Sequence, residues 1–260
     1  MKWIRVTYKN NICEITLNRP NVRNAFDPEM IEEITQAFKN ITTQIRIVIF
    51  RGAGDVFCAG ADLEWMKSMV SYTLEENKSD SLKLYEMFKS MQECHSPIIT
   101  VVQGAAMGGA LGLMAVSDIV ISEDTTKFCF SEVKLGLAPA VISSFVLKKV
   151  SLGMVMPWMT TGKVFGPNEA LRFGLVHQVV FKDGVEEALA AWITTLTEAA
   201  PQAVNETKAL LNQINNLDEE KRKEKTISLI AERRVSAEGQ EGLKAFLEKK
   251  SPSWKTLWKN

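Results

Sequence analysis

Two short glycine turns carry the first chemical signal in the chain: Gly60-Ala61 ahead of Asp62, and Gly108-Gly109 ahead of Leu111. Where a strand runs through small residues into a helix, the backbone N–H groups of the first helical turn have no intrahelical partner. With the positive end of the helix dipole, such amides stabilise an anion. The lack of side-chain bulk lets a ligand approach the backbone closely. If both turns converge on one point they form an oxyanion hole, where removing one donor typically costs about 2.7–4 kcal/mol of transition-state stabilisation. A plainer reading stands beside it, in which glycine and alanine serve only tight helix–strand packing.

Other chemistries have less to work with. Of the two histidines, His95 precedes Ser96-Pro97 in a turn and His177 lies inside the apolar run 174–180. That is too few for a Ser-His-Asp constellation or a zinc cluster, so no metal site is expected and each reads as a structural histidine. Cys13, Cys58, Cys94 and Cys129 lie 45, 36 and 35 residues apart with no C-x-x-C pair, which fits buried free thiols in a reducing compartment. Neither G-x-G-x-x-G nor G-x-x-x-x-G-K-[ST] occurs, so dinucleotide and P-loop readings lose their main support. Carboxylates and backbone dipoles are what remain.

The frame that must position them is 260 residues long, 46% hydrophobic and 24% charged, as for one large globular domain or a domain with an appendage. Lys plus Arg and Asp plus Glu are both 31; the balance argues against nucleic-acid and anionic-membrane partners. The opening MKWIRVTYKN lacks the apolar run of a signal peptide. The most apolar stretch, 104–116, has 13 residues, short of the ~20 that span a bilayer. A soluble cytoplasmic protein is the expectation.

Apolar, β-branched runs predict strands at 4–8, 12–17, 45–51, 98–102, 119–122, 127–130 and 176–181. Helical periods lie between them. Asp27-Pro28 caps one, with Met30, Ile31, Ile34, Phe38 and Ile41 on one face. Others begin near Asp62, at Leu111, and after Gly166-Pro167, the last ending at Gly174. Strand–helix alternation of this kind predicts an α/β fold. A faint echo with a period near 52 relates the run 47–52 and its turn 59–62 to the run 98–104 and its turn 107–109, which suggests stacked turns of one supersecondary unit. From Pro201 onward the pattern is all helical, with Asp218–Lys225 as a solvated charged face. The stretch between Met66 and Met91 has the weakest pattern and reads as a mobile segment that shapes a pocket.

Phe57-Cys58-Ala59-Gly60-Ala61-Asp62-Leu63, followed by Gln103-Gly104-Ala105-Ala106-Met107-Gly108-Gly109-Ala110, resembles the paired signature of the crotonase, or enoyl-CoA hydratase/isomerase, superfamily. Asn18-Arg19-Pro20 with Arg23-Asn24-Ala25, Ser117-Asp118, the run 130–136, Thr161-Gly162 with Gly174-Leu175-Val176, and the tail 241–249 recur in the family's order. The resemblance implies a crotonase-like spiral of ββα turns over residues 1–198 and a helical C-terminal oligomerisation region over 199–260. It implies an acyl-CoA thioester as partner, its carbonyl oxygen held by the N–H groups of Ala61 and Gly109. The CoA moiety would lie along Arg23 and Ala25 and along Ala59, Gly60, Asp62 and Leu63, with Gly108 and Gly112 at the second turn. Asp62 reads as a helix cap rather than a base. No separate cofactor is implied, since coenzyme A belongs to the substrate. The family's assembly is a homotrimer or dimer of trimers, in which Phe246 and Lys249 resemble positions reaching a neighbour's CoA; Trp254 and Trp258 read as sealing an interface rather than capping a pocket.

The family's best-known hydratases place two glutamates around one water. The first lies three residues beyond the second oxyanion glycine, where this chain has Gly112; the second matches Glu132 in Ser131-Glu132-Val133. A double-bond isomerase works with one glutamate. Related hydrolases add an aspartate eight residues later, where this chain has Ala140, and dienoyl isomerases, dehalogenases and naphthoate synthases look for an aspartate nearby; 137–143 offers none. The run 131–143 resembles methylglutaconyl-CoA hydratase-type members of branched-chain acyl-CoA breakdown. The resemblance therefore implies hydration or dehydration across an α,β double bond with Glu132 as acid/base. Isomerisation through Glu132 alone, and a non-catalytic acyl-CoA-binding subunit, stay open.

Overall fold

In the computed structural model, which describes residues 1–256, the β-branched runs pair into a six-stranded sheet. The elements are β1 (Ile4–Lys9), β2 (Ile12–Leu17), α1 (Pro28–Lys39), β3 (Ile47–Gly52), α2 (Leu63–Met69), α3 (Leu74–Gln92), β4 (Ile98–Val102), β5 (Ala105–Met107), α4 (Ala110–Ala115), β6 (Ile119–Glu123), β7 (Lys127–Cys129), α5 (Ala140–Lys149), α6 (Leu152–Thr161), α7 (Pro167–Arg172), β8 (Gln178–Val180), α8 (Val185–Glu198), α9 (Pro201–Ile214), α10 (Glu219–Val235) and α11 (Ala237–Leu247). Strand order is β1-β2-β3-β4-β6-β8. The β1–β2 hairpin turns through Asn10 and Asn11, both at positive φ, as a two-residue hairpin turn requires. Every later neighbour is parallel.

A second layer is built from much shorter pieces. β5 pairs with β7, and single bridges join Phe26 to Ala61, Cys58 to Ala106 and Phe128 to Phe165. Each coil of the chain therefore lays down one sheet strand, one short second-layer segment and a helix. The echo at period 52 is this repeat, and the fold is the α/β spiral of the crotonase type. β4 is buried along its whole length, as a central parallel strand must be. On one sheet face Ile15, Leu17, Val48, Phe50 and Val120 belong to one buried cluster with Met30, Ile31, Ile34 and Phe38 of α1. The other packs Ile47, Ile49, Ile99 and Ile121 under Val185 and Leu189 of α8.

The stretch between Met66 and Met91 departs from its sequence reading. It holds the end of α2 and nearly all of α3, a 19-residue helix capped by Thr73, whose side chain and that of Glu76 satisfy each other's backbone amides. Only Met87, Phe88 and Met91 of α3 are buried, while Leu74 and Leu82 are exposed. Most of the helix lies on the surface, so no apolar stripe marks it. α5, α6 and α8 likewise fill stretches to which the patterns assigned no element.

The C-terminal helices are tied to the spiral by charge. Lys208 of α9 is buried, pairs with Asp118 at 2.6 Å and donates to the Ser96 carbonyl at 2.9 Å. Arg46 donates to the carbonyls of Thr197, Ala199 and Trp254. Trp254 is 9% exposed, packs on Gly242, and donates to the Glu198 carbonyl. Its ring is thus used within the chain, which corrects the interface reading; Trp258 lies outside the described residues. Ile227, Ile230, Leu243 and Phe246 stand exposed. Among the described residues no helix is long and apolar enough to cross a membrane.

Candidate active site

Both glycine turns hold their leading glycine in the left-handed region, Gly60 at φ +89° and Gly108 at φ +52°, conformations that L side chains resist. The turns stack. A Cβ on Gly60 would lie 2.7 Å from the Met107 carbonyl oxygen, the Met107 amide donates to the Cys58 carbonyl, and the Cys58 amide donates to Ala105. Around the turns the amides are engaged: Phe26 to Gly60, Asp62 to Phe26, Gly108 to Cys129. Among the described residues the amides of Ala61 and Gly109 donate to no other protein group. These two residues are half-buried, whereas Gly60, Asp62, Gly108 and Ala110 beside them are buried. The helices that follow have only seven and six residues. Few peptides align to make a dipole, so these turns offer free amides more than a macrodipole.

Glu132 opens a 3-10 turn, Glu132–Leu135, separated from the end of β7 by Phe130 and Ser131. A Cβ on Gly108 would sit 3.4 Å from its Oε1 and 3.3 Å from the Ser131 Oγ. The carboxylate therefore lies over the second glycine turn, and any side chain at 108 would press against it. Oε2 of Glu132 is buried and has no hydrogen-bond partner among the described residues. Burial pushes the Glu132 carboxyl above the ordinary glutamate value, against a smaller lowering by its own backbone amide. Cys129, at the end of β7, donates to the Gly162 carbonyl, and burial raises its pKa too.

Gly112, one helical turn beyond Gly109, is fully enclosed. A Cβ there would meet Phe88 Cζ at 2.6 Å and Ile142 Cγ2 at 2.8 Å. The position that carries the first glutamate in the best-known hydratases thus faces an apolar wall.

The segment from Arg23 to Ala25 meets the segment from Ala59 to Leu63. Arg23 and Asn24 are both left-handed, at φ 54° each. The Arg23 carbonyl accepts the Ala59 amide at 2.9 Å; Arg23 and Leu63 are exposed, Ala25 buried. Asp62 caps α2, accepting from the Glu64 and Trp65 amides. Two residues outside the predicted set hold this corner. Asn24, wholly buried, accepts from the Arg19 amide and donates to the carbonyls of Ala53 and Val56. Arg19 pairs with Asp62 at 3.0 Å and Asp27 at 3.2 Å and donates to the Ala25 carbonyl. The available signal was Asn24 itself, since asparagine tolerates the left-handed region in tight turns better than most residues.

His177 is elsewhere. Its Nδ1 accepts the Val120 amide, and burial with the nearby Lys149 pulls its pKa down to about 4. Lys149 donates to the carbonyls of Met114, in the last turn of α4, and of Ser117 just after it, a buried ammonium whose pKa falls to about 7. Both are structural. All four cysteines are free and buried, and among the described residues no group of three His, Cys, Asp or Glu side chains is placed to hold a metal.

The sequence model of the enoyl-CoA hydratase/isomerase family matches residues 7–257. A solved enoyl-CoA hydratase from Shewanella pealeana is 37% identical, with 97% of this chain and 96% of that one covered, at a TM-score of 0.91. Pseudomonas aeruginosa AtuE is 30% identical over 98% of this chain and 100% of its own, at 0.95. The (E)-benzylidenesuccinyl-CoA hydratase of Thauera aromatica is 26% identical, covering 97% of this chain and 98% of that protein. With two stacked glycine turns and a half-buried glutamate in the family's register, the chain belongs to the enoyl-CoA hydratase/isomerase family, within the crotonase superfamily.

Proposed function

We propose that the chain adds water to, or removes it from, the α,β double bond of an acyl-CoA thioester, with Glu132 as the proton-transfer group. The thioester oxygen docks on the Ala61 and Gly109 amides, and CoA follows the segments at Arg23 to Ala25 and Ala59 to Leu63. In hydration, water oxygen bonds to the β-carbon while Glu132 takes the departing proton. The negative charge moves through the double bond to the thioester oxygen, where preorganised amides stabilise it. Glu132 then returns the proton to the α-carbon and ends as it began. The observation that carries this reading is the unpartnered, buried Oε2 of Glu132 above the second glycine turn.

With Gly112 where a second carboxylate would stand, water is held by another group or by a carboxylate on the substrate. A relative named for benzylidenesuccinyl-CoA, a dicarboxylic thioester, supports the second option, as does the resemblance of 131–143 to methylglutaconyl-CoA hydratases. The same Gly112 favours one further reading, a double-bond shift in which Glu132 alone moves a proton between two carbons.

The test is product analysis over a panel of straight-chain, branched and dicarboxylic enoyl-CoAs with wild type and Glu132→Gln. Turnover is expected on at least one dicarboxylic or branched thioester, weak turnover on plain straight chains, and a fall of ~10²–10⁴-fold in the variant. Unchanged turnover in Glu132→Gln removes Glu132 from the mechanism. Shifted double bonds without hydration make the enzyme an isomerase. Tight thioester binding without any product makes the chain a binding subunit.

A further inference from the structure

Gly112 lies within α4 with no space for even a methyl group. The obstructing side chains come from two different helices: Phe88 Cζ from α3 at 2.6 Å and Ile142 Cγ2 from α5 at 2.8 Å. Neither can retreat freely. Phe88 is fully buried with its ring 5.4 Å from that of Phe145, which in turn contacts Tyr85 at 5.2 Å. Ile142 is 2% exposed and β-branched, hence stiff at χ1. Glu132 and Ile142 lie on one continuous segment ten positions apart, so the stretch that supplies the retained carboxylate also closes the place of the absent one.

We propose that Phe88 and Ile142 are specificity-determining residues: they fill the volume a carboxylate at position 112 would need, keep that side of the site dry, and restrict the enzyme to acyl-CoA substrates that react with one protein carboxylate. This deepens the proposed function and rests on it. The absence of the first glutamate is then a repacked wall rather than a single replaced residue. Restoring the acid alone fails for want of room, while restoring it with room made beside it opens the site to plain straight-chain enoyl-CoAs.

The experiment compares Gly112→Glu, Phe88→Ala and the double variant on but-2-enoyl-CoA hydration, with thioester binding measured alongside. The double variant is expected to exceed wild type and both single variants by at least ~10-fold, a modest part of what a positioned acid/base partner supplies. Equal gain in Gly112→Glu alone overturns the proposal, and so does a folded, thioester-binding double variant without gain. A second cycle, Gly112→Ala with Phe88→Leu, reads the volume relation through melting temperature without activity. Gly112→Ala is expected to melt below wild type, and Phe88→Leu to cost less in its presence than alone; additive shifts overturn the proposal even if no Gly112→Glu variant folds. The melting cycle is independent of chemistry, so it separates failure of the wall from failure of the role given to Glu132.

Discussion

Burial holds the Glu132 carboxyl above the ordinary glutamate pKa of 4.5, and the consequence for stability has a definite sign. Below the ordinary value, folded and unfolded chains both carry the proton and ionisation costs nothing. As pH rises through the raised folded pKa, the unfolded chain gives up its proton first, so stability is lost in that window and stays lost at neutrality. Glu132→Gln keeps the shape and removes the charge. It should therefore melt above wild type at pH 7, with the advantage shrinking toward pH 4.5. Calorimetry at both pH values checks this; a variant melting no higher than wild type at pH 7 contradicts the idea that a carboxylate with one buried, unpartnered oxygen is held there at a cost. The same pKa places the acid limb of the rate profile for α-proton removal above that of an ordinary glutamate, because the ionised form is the base.

Among the elements, the turn from Arg23 to Ala25 shows how much one side chain carries. Asn24 fastens two consecutive left-handed residues by three hydrogen bonds, and through them the Arg23 carbonyl that receives the Ala59 amide. Asn24→Ala strands one amide and two carbonyls and should cost about 2–4 kcal/mol; urea unfolding measures it, and a loss below about 1 kcal/mol would show the turn held by other means. This element also marks where sequence reading stops. Period-two and period-3.6 patterns exposed the sheet strands, α1 and the helices opened by proline, because in each the burial of one face writes itself into the residue order. β2 and β4 match their predicted bounds to the residue. α3 did not, since only three of its 19 residues are buried, and β5 is three residues of alanine and methionine with no periodicity to detect. At the site, the glycine turns stood out from type and spacing, whereas Glu132, a lone glutamate, stood out only through the family resemblance. Arg19, Asn24, Phe88 and Ile142 act through partners distant in the chain, as Asn24 to Val56 and Ile142 to Gly112 illustrate, and only the fold brings those together.

For the whole molecule, the spiral places successive glycine turns one above the other, while α9 to α11 leave Ile227, Ile230, Leu243 and Phe246 uncovered on a single chain. Apolar exposure of this kind is what an association surface would present, and we propose that a closed ring of identical chains covers it. Sedimentation should return a mass of three or six times the 29.1 kDa chain, with Ile230→Glu and Phe246→Glu together lowering it; a wild-type monomer contradicts the trimeric reading. If the amides of Ala61 and Gly109 and the carboxylate of Glu132 act on one thioester, proton exchange at its α-carbon reveals it. Assembled enzyme is incubated in D2O with saturated acyl-CoA thioesters and deuterium at the α-carbon is followed by mass spectrometry. The account predicts incorporation with wild type and a loss of at least ~10²-fold in Glu132→Gln while the thioester still binds. Exchange that proceeds undiminished in the variant, or bound thioester with no exchange in wild type, contradicts it.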